Sequence, residues 1–270
     1  MGIVKQNNVR VQGEGATAII FAHGFGCDQA MWRYVEPAFQ DQYKTVLFDN
    51  VGAGASDLSA YSHGKYSSLA GYADDVVEIG AELGLRDAVF VGHSVSAMIG
   101  VIAAKKAPGL FKALVLVGPS PRYIDTSDYV GGFSQPQMEE LLEFLETNHL
   151  GWSAAMAPAI MGNADRKGLG QELTNSFCQM DPEIAKHFAR TTFLSDTRDD
   201  LEGVDIPVLV LQCAEDLIAP TAVGEYVHKR LSGSKLVMMQ ATGHCPNLSA
   251  PDETIAEIKD FLNDLAAAAS

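Results

Sequence analysis

Apolar positions along this chain fall into two patterns. The first is a set of short uninterrupted runs: Thr17 to Ala22 (TAIIFA), Thr45 to Asp49 (TVLFD), Val89 to Val91, Ala113 to Val117 (ALVLV), Val208 to Gln212 (VLVLQ) and Lys235 to Met239. Runs that stay apolar throughout, without alternating, suit strands covered on both faces, as in a parallel sheet between helices. The second pattern is helical spacing between those runs. From Leu69 to Leu83 it predicts a helix with acidic Asp74, Asp75 and Glu78 on its outer face. Strands alternating with helices predict an α/β fold with a mostly parallel central sheet flanked by helices.

The strand runs stop between Pro119 and about Asp205, where helical patterns replace them. Ser134 with Gln137 makes a capping box ahead of Met138, Leu141, Leu142 and Leu145. Asp181-Pro182 starts another helix, a cap residue followed by Pro at the first helical position, and Leu169, Leu173 and Phe177 recur at four-residue spacing in between. The predicted organisation is a core made of residues 1–118 and 206–270, with a helical lid, residues 119–205, inserted over the carboxyl edge of the sheet. The Ala266 to Ala269 tail reads as frayed helix.

One stretch concentrates the chemistry. In Val89 to Ala104 (VFVGHSVSAMIGVIAA) a strand gives way to a helix within a few residues, and Ser94 stands at the bend. That is the context of a nucleophile elbow, where a sharp turn exposes a Ser hydroxyl beside helix N-terminal amides. The usual G-x-S-x-G reads Gly92-His93-Ser94-Val95-Ser96 here, with a small Ser in place of the last Gly. A Ser hydroxyl needs a base to take its proton, and a His base needs an acid to fix its tautomer. Downstream, Asp216 follows VLVLQ through Cys213-Ala214-Glu215, and His244 follows the run from Lys235 in the loop Ala241-Thr242-Gly243-His244. Glu215 is an alternative acid. His63, His149, His187 and His228 have no strand end before them and read as solvated or structural. His93 is expected to direct its ring away from the reacting centre, and His23 to make a structural hydrogen bond in the HGFG turn. The developing oxyanion calls for two amides, for which Val95 and Phe25 are the candidates.

Composition narrows the partners. Lys and Arg number 19 against 34 Asp and Glu, a formal charge of -15, which disfavours nucleic acid and anionic membrane surfaces. The first fifteen residues carry no apolar signal region, and no apolar run approaches the roughly 20 residues of a membrane span. Cys27, Cys178, Cys213 and Cys245 show neither C-x-x-C nor metal spacing, so a reduced, cytoplasmic protein with no metal and no cofactor is expected. Cys27 and Cys245 flank the site motifs and read as two unpaired small residues.

The blocks HGFGCDQAMW (23–32), FDNVGAGASD (48–57), VGHSVSAMIG (91–100), GPSPRYI (118–124), YVGGF (129–133), LQCAEDLIAP (211–220) and TGHCPNLSAPDET (242–254) together resemble the α/β-hydrolase superfamily. More narrowly they are similar to its branch containing the bacterial stress-response regulator RsbQ and the plant strigolactone and karrikin receptors. The D-x-x-x-P pattern from Asp216 to Pro220 matches that branch and favours Asp216 over Glu215. The resemblance implies a four-helix, V-shaped lid over a mostly apolar pocket, with Ser94, Asp216 and His244 at its floor. Matching positions for the pocket wall are Phe25, Tyr123, Phe133, Trp152, Met156, Phe193 and Leu217. The implied function is a serine hydrolase of a small, largely apolar ester or lactone. The alternative is a signalling regulator that binds such a ligand, hydrolyses it slowly and engages a protein partner. Carbon–carbon hydrolysis, lyase or cofactor-free haloperoxidase chemistry ranks lower, and dehalogenase or epoxide hydrolase chemistry is disfavoured because those relatives carry Asp where Ser94 stands.

Overall fold

The computed structural model describes residues 2–268, so Ala269, the end of the tail read as frayed helix, lies outside the described residues. Among the described residues seven strands form one sheet: β1 (Arg10–Gln12), β2 (Ala18–Ala22), β3 (Lys44–Leu47), β4 (Ala88–His93), β5 (Phe111–Val117), β6 (Val208–Glu215) and β7 (Lys235–Thr242). Their order is β1-β3-β2-β4-β5-β6-β7. Only β1 runs antiparallel to its neighbour, β3. Every residue of β2 and β4 is buried, as their uninterrupted apolar runs require. β1, not predicted from the sequence, is a short edge strand with all its residues exposed, so no apolar run marks it.

The helices are α1 (Ile3–Gln6), α2 (Leu69–Glu82), α3 (Val95–Lys106), α4 (Gln135–Thr147), α5 (His149–Met161), α6 (Lys167–Gln179), α7 (Pro182–Phe193), α8 (Thr221–Arg230), α9 (Pro246–Ser249) and α10 (Pro251–Ala268). Helix α3 packs on β4 and β5 and against α2, and is buried from Val95 to Ala103. A helix apolar all round belongs inside. Helices α4 to α7 fill the interval between β5 and β6. The Ser134 and Gln137 capping box opens α4, and Asp181 caps α7 by accepting from the amides of Glu183 and Ile184. The interval leaves and rejoins the sheet at one neck, where Thr197 N–H donates to the Pro121 carbonyl at 2.8 Å and Arg122 pairs with Asp196 at 2.6 Å. Among the described residues no helix is long and apolar enough to cross a membrane.

One expectation is corrected on α2. Asp75 is not on the outer face: it is 1% exposed, held by Lys65 Nζ at 2.5 Å and by the Tyr66 hydroxyl at 2.9 Å. A buried carboxylate is tolerable only with such partners.

Sheet register sets up the site. Ala22 pairs with Gly92, so the HGFG turn and the elbow leave the sheet side by side. Glu215 pairs with Thr242, so the Asp216 and His244 loops do the same. Ser94 and His244, 150 positions apart, meet at one edge because four parallel strands end there.

Candidate active site

Ser94 sits at φ 56° and ψ -123°, a conformation sparsely populated for any residue with a Cβ. Its amide donates to the Val117 carbonyl at 2.8 Å, which fixes the bend. The turn is so tight that a Cβ on Gly92 would stand 2.4 Å from the Ser96 carbonyl oxygen, so no other residue fits there. Ser96, where the usual pattern has Gly, donates its Oγ to the His23 carbonyl at 2.5 Å and so ties the elbow helix to the HGFG turn.

From Ser94 a chain of two short hydrogen bonds runs across the sheet edge. His244 Nε2 lies 2.7 Å from Ser94 Oγ, and His244 Nδ1 lies 2.7 Å from Asp216 Oδ2. The other carboxylate oxygen of Asp216 accepts from the amides of Ile218 at 2.8 Å and Ala219 at 3.0 Å. Burial alone would push the Asp216 carboxyl up; the neighbouring His244 and these hydrogen bonds outweigh it and hold the carboxyl below its ordinary value. Glu215 is exposed, and it is Asp216 that meets His244. Val95 opens α3, so its amide belongs to the first-turn N–H groups that have no acceptor inside the helix. Phe25 lies in the turn after β2, beside Ser94.

The remaining histidines separate by role. His23 Nδ1–H donates to the Gly24 carbonyl at 2.9 Å and its Nε2 accepts from the Asn50 amide at 2.9 Å, a structural clamp. His187 and His63 pack against each other, with His187 Nδ1 2.6 Å from the Tyr61 hydroxyl. His93 departs from expectation. Its ring does not turn away: Nε2–H donates to the His244 carbonyl at 2.7 Å, and the two rings pack 5.0 Å apart. Burial, reinforced by His244, pushes the His93 pKa down to about 3.

A pH effect follows from His93. Below its ordinary value of 6.5 the unfolded chain binds a proton at this position that the folded chain refuses until about 3. Stability is therefore lost as pH falls through that window, by about 1.4 kcal/mol per unit. Thermal midpoints measured from pH 7 to pH 5 should drop less steeply for His93→Gln than for the wild type.

Above Ser94 lies a cavity of only 20 Å³, lined by Phe25, Cys27, His93, Ser94, Ile160, Leu173, Phe177, Thr192, Phe193, Ile218, His244 and Cys245. Its roof is aromatic. Phe25 packs against Phe188 at 5.5 Å, Phe193 at 5.7 Å, Phe177 at 5.9 Å and Trp152 at 6.1 Å. Of the seven wall positions expected from the sequence, Phe25 and Phe193 face this space. Tyr123 packs on Phe193 and touches the Ser94 hydroxyl, while Trp152 stacks on Phe177 one layer behind. Phe133 and Met156 are half-buried and stand away from it. Leu217 is a correction: it is 48% exposed, because the tight turn closed by Asp216 swings it outward and sends Ile218 in. Cys27 and Cys245 both line the cavity, but burial pushes the Cys27 thiol up to about 12 and that of Cys245 well above its ordinary range, so neither offers a thiolate. Among the described residues no group of three or more His, Cys, Asp or Glu could hold a metal ion.

A Ser, His and buried Asp hydrogen-bonded in a row at the carboxyl edge of a parallel sheet, with the Ser on a strained elbow, define an α/β hydrolase of the serine type. Residues 19–257 match the model of the Alpha/beta hydrolase family, and the chain belongs to that family. It is 41% identical over 257 residues to the karrikin insensitive 2 receptor CA of Petunia hybrida, covering 94% of this chain and 95% of that protein. It is 39% identical over 261 residues to the strigolactone esterase D14 of Arabidopsis thaliana, covering 96% of each. Among solved structures, a hydrolase from Oleispira antarctica superposes with a TM-score of 0.94 at 40% identity, over 97% of this chain and 96% of that one.

Proposed function

We propose that the protein hydrolyses a small, largely apolar ester or lactone through an acyl-Ser94 intermediate. The observation that carries this is the unbroken row Asp216, His244, Ser94, with both links at 2.7 Å, beneath an apolar cavity. Ser94 Oγ attacks the carbonyl carbon while His244 Nε2 takes its proton and passes it to the leaving oxygen. Asp216 keeps the His244 tautomer and orientation. The amides of Val95 and Phe25 hold the oxyanion, and residues 119–205 serve as the lid. Relatives named as esterases support the reaction class. Four unpaired cysteines support a reducing, cytoplasmic setting.

A second reading has its own support. A space of 20 Å³ admits no lactone, so a ligand of that class must displace the aromatic roof, and with it the helices that carry Phe177, Phe188 and Phe193. Ligand occupancy would then change the lid surface offered to a protein partner, as suits relatives named as receptors. Stopped-flow release of p-nitrophenol from p-nitrophenyl acetate separates the two. Linear release over many equivalents is the result expected of a hydrolase; a burst of one equivalent and a stall would favour the receptor reading. Removing part of the roof tests the size limit: Phe193→Ala should lose about 3 to 5 kcal/mol of stability while raising the rate with longer acyl esters relative to acetate.

A further inference from the structure

Thr192, in the last turn of α7, lines the cavity beside Ser94 and His244 and is 1% exposed. Its Oγ1 is buried with no hydrogen-bond partner among the described residues. A Thr in a helix commonly gives its hydroxyl to the carbonyl one turn back. Thr174 does so to Gly170 at 2.9 Å and Thr147 to Glu143 at 2.7 Å. Thr192 does not, and a buried hydroxyl left unpaired calls for a partner from outside the chain. The space available, 20 Å³, exceeds the roughly 10 to 15 Å³ that one water needs and is far short of an acyl chain. The lining is apolar at Phe25, Phe177, Phe193 and Ile218, and besides Ser94 and His244 it offers a water one other polar group, His93, whose Nδ1 is likewise buried without a partner.

We infer that Thr192 holds the water that deacylates Ser94, an inference that rests on the acyl-enzyme reading above. In the resting protein His244 Nε2 is engaged with Ser94 Oγ. Once Ser94 carries an acyl group that bond is lost, and Nε2 turns to a water whose second partner is Thr192 Oγ1. The water oxygen attacks the acyl carbonyl carbon as Nε2 takes one of its protons. The tetrahedral adduct then collapses, the bond from carbon to Ser94 Oγ breaks, the proton returns from Nε2 to Oγ, and the carboxylic acid leaves. Acylation needs no such water, so Thr192 acts on one half of the reaction only.

The test uses the full-length protein with Thr192→Val, which keeps the shape and drops the hydroxyl, and Thr192→Ser, which keeps the hydroxyl. Time courses with p-nitrophenyl acetate are read beside intact-protein mass spectra at steady state. For Thr192→Val the acylation phase should match the wild type, steady release should fall by about tenfold or more, and acetylated protein should accumulate. Thr192→Ser should restore release. The thermal midpoint of Thr192→Val should stay near that of the wild type, since the shape is kept and the one hydrogen bond lost is to a water. Unchanged steady release and no added acetyl-protein in Thr192→Val would overturn the inference, as would a proportional loss of acylation and deacylation, the mark of a merely structural role. Absence of any Ser94-dependent release in the wild type would instead sink the acyl-enzyme reading, and this inference with it.

Discussion

Ser94→Ala is expected to reduce hydrolysis of p-nitrophenyl acetate to the buffer rate, a loss of roughly 10,000-fold or more when a nucleophile is removed from an intact triad. The measurement is initial-rate kinetics, with a thermal midpoint to show that the fold persists. Ser94→Gly sharpens the point. At φ 56° the native residue is strained, whereas glycine is at ease there. This variant should be equally inactive yet more stable, by about 1 kcal/mol or more. Inactive and stabilised together would mean that the bend is kept for chemistry at the expense of the fold. Wild-type hydrolysis by Ser94→Ala would end the proposed mechanism.

Asp216→Asn should lower kcat by about 10,000-fold with little change in the rest of the structure. The Oδ1 that accepts from Ile218 and Ala219 can be kept as an amide oxygen. The opposite position, however, then presents an N–H to His244 Nδ1, which accepts it only in the tautomer that leaves Nε2 protonated and unable to take the Ser94 proton. Glu215→Gln, one residue away and exposed, should stay near the wild-type rate. Equal losses in the two variants would return the acid to dispute. The acid side of the pH dependence has a definite sign. The folded Asp216 carboxyl lies below its ordinary value, so the stability it contributes is present above about pH 4 and lost as pH falls through the lower folded value.

Much of this site is legible in the order of the residues alone. Ser94 stands between an apolar run and helical spacing, and Asp216 and His244 each follow a strand run, so strand ends locate all three. Spacing does not choose between Glu215 and Asp216; a backbone turn that buries one and exposes the other does that. The same turn overturns the expectation for Leu217, because two amides drawn to Asp216 Oδ1 decide which of Leu217 and Ile218 faces inward. A residue next to a nucleophile is expected to point the other way, and His93 does not. Its bond to the His244 carbonyl spans 151 positions, a contact no local pattern encodes. Asp75 departs for a similar reason: helical periodicity sees its neighbours on α2, while its partners Lys65 and Tyr66 come from the short 3-10 helix Lys65–Ser67 before it. The short exposed strand β1 has no apolar signature at all.

The aromatic roof over Ser94 makes the chain a competitor for its own binding site. Phe25 and Phe193 occupy volume that any lactone must take, so binding is an exchange of one apolar occupant for another. The apparent dissociation constant is then the intrinsic one divided by the fraction of molecules whose roof is lifted. A molecule open one time in a hundred binds about a hundredfold more weakly than its pocket chemistry allows. Substitutions that thin the roof can thus raise affinity without touching the ligand, and selectivity among esters becomes partly a matter of how far each one needs the helices to part.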